Sequence, residues 1–596
     1  MNGWMGNKLE VNLTKEEIKV EKTEKELRQN FLGGRGFGSA LLYKRLDPQV
    51  DPLSKDNLIV IATGPLTGAG VPTPGRFSAS TKSPLTGTIS DSNCGGNWGP
   101  TFKSNGYDYL ALSGRAKEPL YLLVSEEGLE LKSAAELWGE KTGRTEEILK
   151  ERHGSGAEVL CIGPGGENAV RFASVMTGSS ALGRAGLGAV FGSKKLKAVV
   201  TTRGEEKISY ADGDRLKLVN QEAVRNVRQS PITSKAYPQF GTAVLMNVIN
   251  EAGILPKNNY LHSDVEEEVE GVSGEAIREN VLEGRSGCWG CMIRCKPETS
   301  TGEESGGGPE YETDWALGPN CGNYDLKKIT EANYRCNEYG IDTISAGGTI
   351  ACAMEMAEEG LLDWDIGFGE EEKIPGLVEK IALREGIGDQ LAEGSKRLAE
   401  AQGEGARAMH SKGLELPAYD PRGAQGQGLA YATSNRGACH LRGGYLIGPE
   451  VLGAPELIDR FAHTGKANLV VESQDMGAVF DSLTICRFSN FAVSKDVLGR
   501  LLSAATGGDY DSEELLEIGE RISNVERLFN IKAGFSREDD TLPQRLLESP
   551  LPSGPAEGEV VELEPMLEEY YDTRGWDENG EPRAKTLDRL ELSEFV

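Results

Sequence analysis

The chain has 596 residues, with 93 acidic and 64 basic side chains and a formal net charge of −29. Nucleic acids and anionic membranes are themselves negative, so such a chain is not expected to bind either of them. No signal-peptide pattern and no run of about 18 apolar residues is present. We therefore expect a cytoplasmic protein with no membrane segment, in which cysteines are thiols or metal ligands.

Residues 1–210 predict a β-rich domain that forms a base for a bound cofactor. Short apolar runs bounded by glycine, proline or charged residues have the length and composition of strands, namely residues 58–62, 109–112, 120–124 and 159–162. Gly-rich loops separate these runs, and the chain has 76 glycines. Regular alternation with long helices is missing, so a doubly wound sheet is not expected.

Residues 211–415 and 416–596 predict two mainly α-helical domains. Apolar residues recur at helical spacing in residues 212–226 and 325–362. Asp511 provides an N-cap for a later helix. The expected fold class is therefore α+β, with an N-terminal β-sheet domain followed by two mainly α-helical domains.

Four cysteines are the most informative feature of the chain. Cys288, Cys291 and Cys295 follow a C-x2-C-x3-C spacing, and Cys486 lies far downstream. Three closely spaced thiolates with a distant fourth can hold a cubane iron–sulfur cluster and join two parts of the chain. The spacing therefore indicates electron transfer.

A structural zinc ion and, in an exported protein, disulfide bonds are the alternatives for these cysteines. Zinc sites of this kind use two closely spaced ligand pairs, but the sequence has no second pair and no histidine near the first. Iron–sulfur is favoured on spacing, and zinc stays open. Most of the other cysteines are interpreted as small buried side chains: Cys94, Cys161, Cys321, Cys336, Cys352 and Cys439.

Several polar residues are candidates for chemistry. Glu310 and Glu312 share one face if their segment is extended, and a carboxylate beside a buried cofactor can act as acid or base. His440 stands among small residues, which leave room for a ligand. The Gly-rich loops of Arg76 and Arg184 could cradle a phosphate. Each candidate also has a commoner explanation without chemistry. Glutamates are more often solvated, a histidine is more often hydrogen-bonded within the fold, and a Gly-rich loop is more often a tight turn.

The chain resembles the tungsten-containing aldehyde ferredoxin oxidoreductase family over nearly its whole length. The resemblance lies in the three-cysteine motif and in six further segments: Pro84-Leu85-Thr86-Gly87, Asn93-Cys94-Gly95-Gly96, Gly307-Gly308-Pro309-Glu310-Tyr311-Glu312, Gly340-Ile341-Asp342-Thr343, Asn435-Arg436-Gly437-Ala438-Cys439-His440 and Asp481-Ser482-Leu483-Thr484-Ile485-Cys486.

The resemblance implies two molybdopterins that hold one tungsten or molybdenum, Mg²⁺ bridging the pterin phosphates, and one [4Fe–4S] cluster. The implied cluster ligands are Cys288, Cys291, Cys295 and Cys486. The pterin and phosphate contacts fall on ten residues: Arg76, Asn93, Gly95, Arg184, Asn337, Ile341, Asp342, Arg442, Asp481 and Ile485. The sequence departs from the family's twice-used D-x-x-G-L-(D/C) pattern, with Asn337 in the place of Asp and Thr484 in the place of Gly.

The resemblance also implies an activity, the oxidation of an aldehyde to a carboxylic acid with water, in either direction. Glu312 and His440 match the family's acid/base pair. Glu312 is expected to take the proton, and His440 to hydrogen-bond the carbonyl or oxo group. The metal takes two electrons, which then leave singly through the cluster.

Two other functions stay open at this point. One is a related tungsten enzyme acting on an aromatic acyl-CoA, which the acidic charge disfavours because CoA carries phosphates. The other is a non-catalytic, metal-stapled electron-relay subunit.

The expected electron partner is ferredoxin or a dedicated iron–sulfur or flavin subunit, in an oligomer. A dedicated subunit is favoured because a surface with a net charge of −29 repels an acidic carrier, and because a metal site that joins subunits in some family members is incomplete here. Some family members bind a lone iron between subunits with a Glu and a His. Glu331 matches that Glu, but no histidine occurs between His262 and His410, so the bridging metal is expected to be missing.

Overall fold

The structure is a computed structural model and describes residues 2–595. Its N-terminal third consists of two six-stranded sheets. The strands in chain order are β1 (Asn7–Asn12), β2 (Glu17–Lys22), β3 (Ile59–Ala62), β4 (Phe77–Lys82), β5 (Ile89–Cys94), β6 (Tyr109–Ser113), β7 (Leu120–Ser125), β8 (Gly128–Ser133), β9 (Glu158–Cys161), β10 (Val175–Thr177), β11 (Ser180–Leu182) and β12 (Leu196–Thr201).

Both N-terminal sheets are mixed. The first has the strand order β2-β1-β6-β3-β4-β5 and the second has the order β11-β10-β9-β12-β7-β8. The pairs β1–β6 and β12–β7 are parallel, and the other pairs in the two sheets are antiparallel.

The two sheets share one hydrophobic core. Ile59 and Ile61 of β3 pack in the same cluster as Leu122 of β7 and Val199 of β12. The intervening Val60 belongs to a second cluster that includes helical residues. Strand side chains alternate between the two faces of a sheet, so the first sheet has the second sheet on one face and helices on the other.

The helices of the described residues are α1 (Lys25–Phe31), α2 (Gly34–Arg45), α3 (Trp98–Lys103), α4 (Thr142–His153), α5 (Pro164–Glu167), α6 (Leu187–Ser193), α7 (Gly213–Gln229), α8 (Tyr237–Phe240), α9 (Leu245–Glu251), α10 (Gly274–Asn280), α11 (Tyr311–Ala316), α12 (Leu326–Tyr339), α13 (Thr343–Glu358), α14 (Ile374–Leu383), α15 (Gly388–Leu391), α16 (Ser395–Ala401), α17 (Gln425–Thr433), α18 (Ala467–Leu483), α19 (Lys495–Thr506), α20 (Ser512–Lys532), α21 (Gln544–Glu548), α22 (Leu563–Arg574) and α23 (Ala584–Arg589).

Two small sheets lie within the helical region. The first is antiparallel and has the strands β13 (Leu282–Ser286), β14 (Lys296–Ser300) and β15 (Ser305–Gly307). The loop between β13 and β14 carries the three-cysteine motif. The second is the pair β16 (His410–Ser411) and β17 (Leu414–Glu415).

The predicted α+β fold class is confirmed, because the sheet-forming part is followed by a mainly helical part. The predicted helical region at residues 325–362 is two helices, α12 and α13. Gly340 ends α12 in the left-handed conformation with a φ of 70°, which favours glycine, and Asp342 then caps α13. The domain boundaries at residues 210 and 415 stay predictions.

Within residues 2–595, no helix is both long enough and apolar enough to cross a membrane.

Candidate cofactor and active site

Cys486 is joined to the N-terminal sheet domain by direct contacts. Its backbone N–H faces Thr73 O at 3.3 Å and Thr73 Oγ1 at 3.2 Å. Arg76 Nη1 donates to Cys486 Sγ at 3.5 Å. On the other side, a Cβ added at Gly95 would overlap Cys288 Sγ. The sheet domain therefore touches the distant fourth cysteine through Arg76 and the three-cysteine motif through Gly95.

The four thiols act on one another electrostatically. Burial, together with the nearby Cys486 and Cys288, raises the pKa of Cys291 to about 11. Burial, Glu310 and the other three cysteines raise the pKa of Cys295 well above its usual range. Thiolates brought together in this way need a positive partner, and bound iron supplies one. The residues therefore fit an iron–sulfur cluster.

A cubane cluster holds its four sulfur ligands farther apart than one metal ion holds its ligands. Among residues 2–595 there is no group of three His, Cys, Asp or Glu side chains placed to bind a single metal ion. The zinc alternative gains no support from this arrangement.

Near the cysteines lies a buried arginine–carboxylate network. It is formed by Arg35, Asp91, Arg442, Asp481 and Glu526. Arg442 Nη2 is 2.6 Å from Asp91 Oδ2, and its Nε is 3.5 Å from Asp481 Oδ2. Arg35 is held by Glu526 at 2.7 Å and lies 3.6 Å from Asp91. All five side chains are buried. Burial opposes the charge on Asp91, but Arg442 and Arg35 outweigh it and lower the pKa of that carboxyl.

Several guanidinium N–H groups around this network are buried without a hydrogen-bond acceptor, namely Nη1 of Arg35, Nε of Arg436, and Nε and Nη2 of Arg487. Leaving a buried donor unsatisfied costs roughly 1–3 kcal/mol, more when it is charged. Phosphate oxygens are strong acceptors for arginine. These orphaned donors fit a bound phosphate-bearing cofactor such as a pterin.

Arg184 and Asp342 form a second pair near the network. Arg184 Nε lies 3.3 Å from Asp342 Oδ2, and Arg184 Nη1 donates to Ala438 O at 2.9 Å. The Asp342 carboxylate also accepts the N–H groups of Ile344 and Ser345, which caps α13. Arg184 therefore ties the sheet domain to the loop that carries His440.

The remaining predicted pterin residues differ in where they lie. The Asn93 side chain accepts from Arg76 Nε and donates to Ser78 Oγ at 3.2 Å. Ile341 and Ile485 are buried beside Asp342 and Cys486 respectively. Asn337 differs, because its carbonyl oxygen accepts from Thr142 Oγ1 at 2.8 Å in α4. Within residues 2–595 no hydrogen bond links Asn337 to the arginine–carboxylate network.

Glu312 and His440 face each other inside the protein. Glu312 Oε1 is 3.4 Å from His440 Nδ1, and neither atom has a hydrogen-bond partner in the described chain. Glu312 Oε2 accepts the N–H of Ala418 at 3.0 Å. The His440 ring lies 5.8 Å from the Tyr419 ring and 6.3 Å from the Tyr445 ring. The pair has polar atoms free for a ligand.

The surroundings of this pair set its charge. Burial raises the pKa of Glu312 to about 8, although the Ala418 N–H and Arg184 oppose the shift. Burial and the nearby Arg184 and Arg436 hold the pKa of His440 well below its usual range. At neutral pH the chain therefore holds a mostly protonated Glu312 and a neutral His440.

The segment of Glu310 and Glu312 is not a continuous extended strand, so the two glutamates do not share one face. Helix α11 begins at Tyr311, with Glu310 as its N-cap residue. Glu310 accepts from Thr242 Oγ1, whereas Glu312 points to His440. Because Glu310 precedes α11 and Glu312 lies in its first turn, the two carboxylates point in different directions and have different partners.

Sequence reasoning missed several buried residues of the site, among them Asp91, Arg35, Glu526, Arg436 and Cys439. Cys439 was interpreted as a small buried side chain, but its Sγ accepts from Arg436 Nη2 at 3.0 Å. Burial would raise the pKa of this thiol, yet Arg436, Arg184 and Arg442 lower it to about 6. Asp91 could have been found from the sequence, because it is a charged residue inside the buried strand β5.

Glu331, which matches the family's bridging glutamate, has local partners. Its carboxylate lies 3.1 Å from Lys328 Nζ and 3.9 Å from Lys327 Nζ.

Family models match most of the chain. The model of the aldehyde ferredoxin oxidoreductase N-terminal domain matches residues 8–203, and the model of domains 2 and 3 matches residues 218–592. The chain therefore belongs to the aldehyde ferredoxin oxidoreductase family and is an oxidoreductase, which confirms the resemblance inferred from its motifs.

Individual relatives are similar over their whole length. The tungsten-containing aldehyde ferredoxin oxidoreductase of Pyrococcus furiosus is 45% identical over 609 residues, with all of both chains covered. The aliphatic sulfonate oxidoreductase WOR-like subunit of the same organism is 30% identical and covers 100% of this chain and 98% of its own. Among solved structures, the active-site complex BamBC of benzoyl coenzyme A reductase with 1,5-dienoyl-CoA has a TM-score of 0.86 at 25% identity, covering 100% and 98%.

Proposed function

We propose that the protein is a tungsten or molybdenum bis-pterin enzyme that oxidises aldehydes to carboxylic acids with water, reversibly. The observation that carries the proposal is the full-length similarity to a tungsten-containing aldehyde ferredoxin oxidoreductase at 45% identity. The buried Glu312–His440 pair, beside arginines with unsatisfied donors, supports it.

We assign the cofactor contacts to the residues that the motifs indicated. Cys288, Cys291, Cys295 and Cys486 would hold a [4Fe–4S] cluster. Two pterins and a phosphate-bridging Mg²⁺ would be held by Arg76, Asn93, Gly95, Arg184, Asn337, Ile341, Asp342, Arg442, Asp481 and Ile485. When bound, the tungsten–pterin group supplies the two-electron acceptor, and the cluster carries the electrons out one at a time.

Glu312 acts as the base and His440 orients the substrate. Glu312 Oε1 takes a proton from the water that adds to the carbonyl carbon, and a pKa near the working pH suits that task. His440 Nδ1 faces Glu312, which leaves Nε2 as the ring nitrogen turned towards the substrate. Burial of the pair excludes bulk water and strengthens both interactions.

Metal analysis of anaerobically purified protein, combined with a panel of aldehydes and a viologen dye, tests this function. We expect tungsten or molybdenum, about four irons per chain, and dye reduction that depends on an aldehyde. Metal-loaded protein that oxidises no aldehyde would contradict the proposal.

The likeness to the benzoyl coenzyme A reductase complex supports a second candidate, reduction of an aromatic acyl-CoA. Benzoyl-CoA belongs in the same panel, with reduced viologen as the donor. Turnover of benzoyl-CoA but of no aldehyde would select this alternative.

A further inference from the structure

Charge is unevenly distributed around the three-cysteine loop, residues 287–295. The chain has 93 acidic residues, yet the loop lies in a segment without Asp or Glu, residues 284–297, and four neighbouring segments also lack them: residues 57–90, 92–107, 223–250 and 482–495. These four segments contact the loop or lie beside its cysteines.

Direct contacts place these segments against the loop. A Cβ at Gly75 would lie 2.8 Å from the backbone N and O of Trp289, and the Trp289 N–H donates to Gly96 O at 3.1 Å. Arg285 Nη2 donates to Gln239 O at 2.6 Å. The loop is thus bordered by the N-terminal sheet domain on one side and by residues near α8 on the other.

Cys486 adds an apolar border to the same region. Phe488 and Phe491 follow it directly and are both half-buried. Their rings lie 4.5 Å and 6.1 Å from the ring of Tyr237. Trp289, between Cys288 and Cys291, is a large apolar side chain that remains 37% exposed.

Two exposed cations lie on segments of this region. Arg294 is exposed, and its Nη2 donates to Arg285 O at 2.8 Å. Lys235 is exposed in the turn Ile232–Ala236, which contacts the Arg487–Phe491 turn. An apolar centre with a charged rim is the usual composition of a protein interface.

We propose that this face, defined by Trp289, Arg294, Lys235, Phe488 and Phe491, is the docking surface of a small acidic one-electron carrier of the ferredoxin type. The inference rests on the proposed function, because it assumes that electrons leave through Cys288, Cys291, Cys295 and Cys486. Oxidation of one aldehyde with water yields a carboxylic acid, two protons and two electrons. Two carrier molecules therefore dock in turn, and each is reduced by one electron.

Local charge decides this encounter more than net charge does. The expectation of a dedicated subunit rested on repulsion by a net charge of −29. Steering acts through the charges nearest the contact, because salt screens distant ones within about 10 Å at ordinary ionic strength. A face built from segments without Asp or Glu, with Arg294 and Lys235 exposed, attracts an acidic carrier despite the net charge.

Charge reversal tests the proposal. The test variant is Arg294→Glu with Lys235→Glu, and the matched control is Arg115→Glu with Lys15→Glu. Both control residues are exposed and lie beyond the Ser113 end of β6, opposite the end of the sheet that meets the cysteines. Each double variant changes the net charge equally.

The probe is a purified acidic two-cluster ferredoxin, and both its binding affinity and its rate of reduction are measured. We expect the test variant to bind and reduce it at least about tenfold more weakly at low salt, with the control unchanged. Wild-type reduction should slow as salt is added. Aldehyde-dependent viologen reduction should be the same in all three proteins.

Equal ferredoxin binding by the two double variants, or no binding by the wild type at low salt, would overturn the docking proposal. Failure of the proposed function has a different signature, because viologen is then not reduced by any aldehyde. Selective loss of ferredoxin binding in the test variant would still support the docking surface in that case.

Discussion

At the scale of single residues, the same buried environment raises the pKa of Glu312 and lowers the pKa of His440. Burial favours the neutral form of both groups, so the glutamate gains a proton and the histidine loses one. Only Glu312 has its pKa, about 8, close to a physiological pH. It is therefore the member of the pair whose proton can come and go during turnover.

Replacing Glu312 by Gln should lower kcat by ~10²–10⁴-fold, the usual contribution of a general base, with metal and iron content unchanged. In the wild type, kcat should rise with pH up to about 8, because the raised pKa keeps the base protonated below that value. The variant should lose this dependence. Glu310→Gln is the control, since Glu310 binds Thr242 instead. Near-normal turnover of the Glu312 variant would contradict the assignment.

Cys486 supplies the second residue-scale prediction. Cys486→Ala should abolish the four-iron absorbance, because a cubane cluster normally needs all four protein thiolates. Cys352→Ala is the control, as Cys352 is buried within α13 among apolar side chains. Iron content and visible absorbance report the result, and an unchanged spectrum in the Cys486 variant would remove it from the ligand set.

At the scale of elements, a helix or strand could be predicted when the residues that define it lie within one short segment of the sequence. The runs at residues 58–62 and 120–124 are strands because short continuous apolar runs bounded by glycine, proline or charged residues suffice to define them. The break between α12 and α13 was not predicted, although Gly340 and Asp342 are ordinary stop and start signals. The partners of buried charges such as Arg35 and Glu526 lie hundreds of residues apart, and no pattern within one segment reveals them.

Two helix caps allow a prediction at this scale. Asp511 caps α20 and Asp342 caps α13, and each accepts two backbone N–H groups. Asp511→Ala should cost ~1 kcal/mol of unfolding free energy, the usual value for a lost cap, with cofactor content unchanged. Asp342→Ala should cost more and lower the bound tungsten or molybdenum, because it also leaves Arg184 without its carboxylate.

Thermal denaturation and metal analysis of the two cap variants give the comparison. Equal losses of stability with full metal content in both would show that Asp342 is only a helix cap.

At the scale of the whole molecule, the proposed cofactor site lies where the sheet domain and the helical part meet. Arg35 and Asp91 come from the first part, and Asp481 and Glu526 come from the second, some 400 residues later. Each orphaned arginine donor there is a free-energy cost that the folded chain carries without a ligand. A cofactor that supplies acceptors across this boundary should stabilise both parts together.

The cofactor-loaded protein should therefore unfold in one transition at a clearly higher Tm than the cofactor-free protein. A ligand present at 100 times its Kd stabilises a protein by about 2.7 kcal/mol, and a tightly held cofactor by more. The cofactor-free form is produced in cells without pterin synthesis, and calorimetry compares the two. A pterin without a phosphate group, added to the cofactor-free form, is the control and should raise the Tm less, because it brings no phosphate oxygens to the arginines. Equal Tm values for the two forms would show that the buried arginines are already satisfied without a ligand.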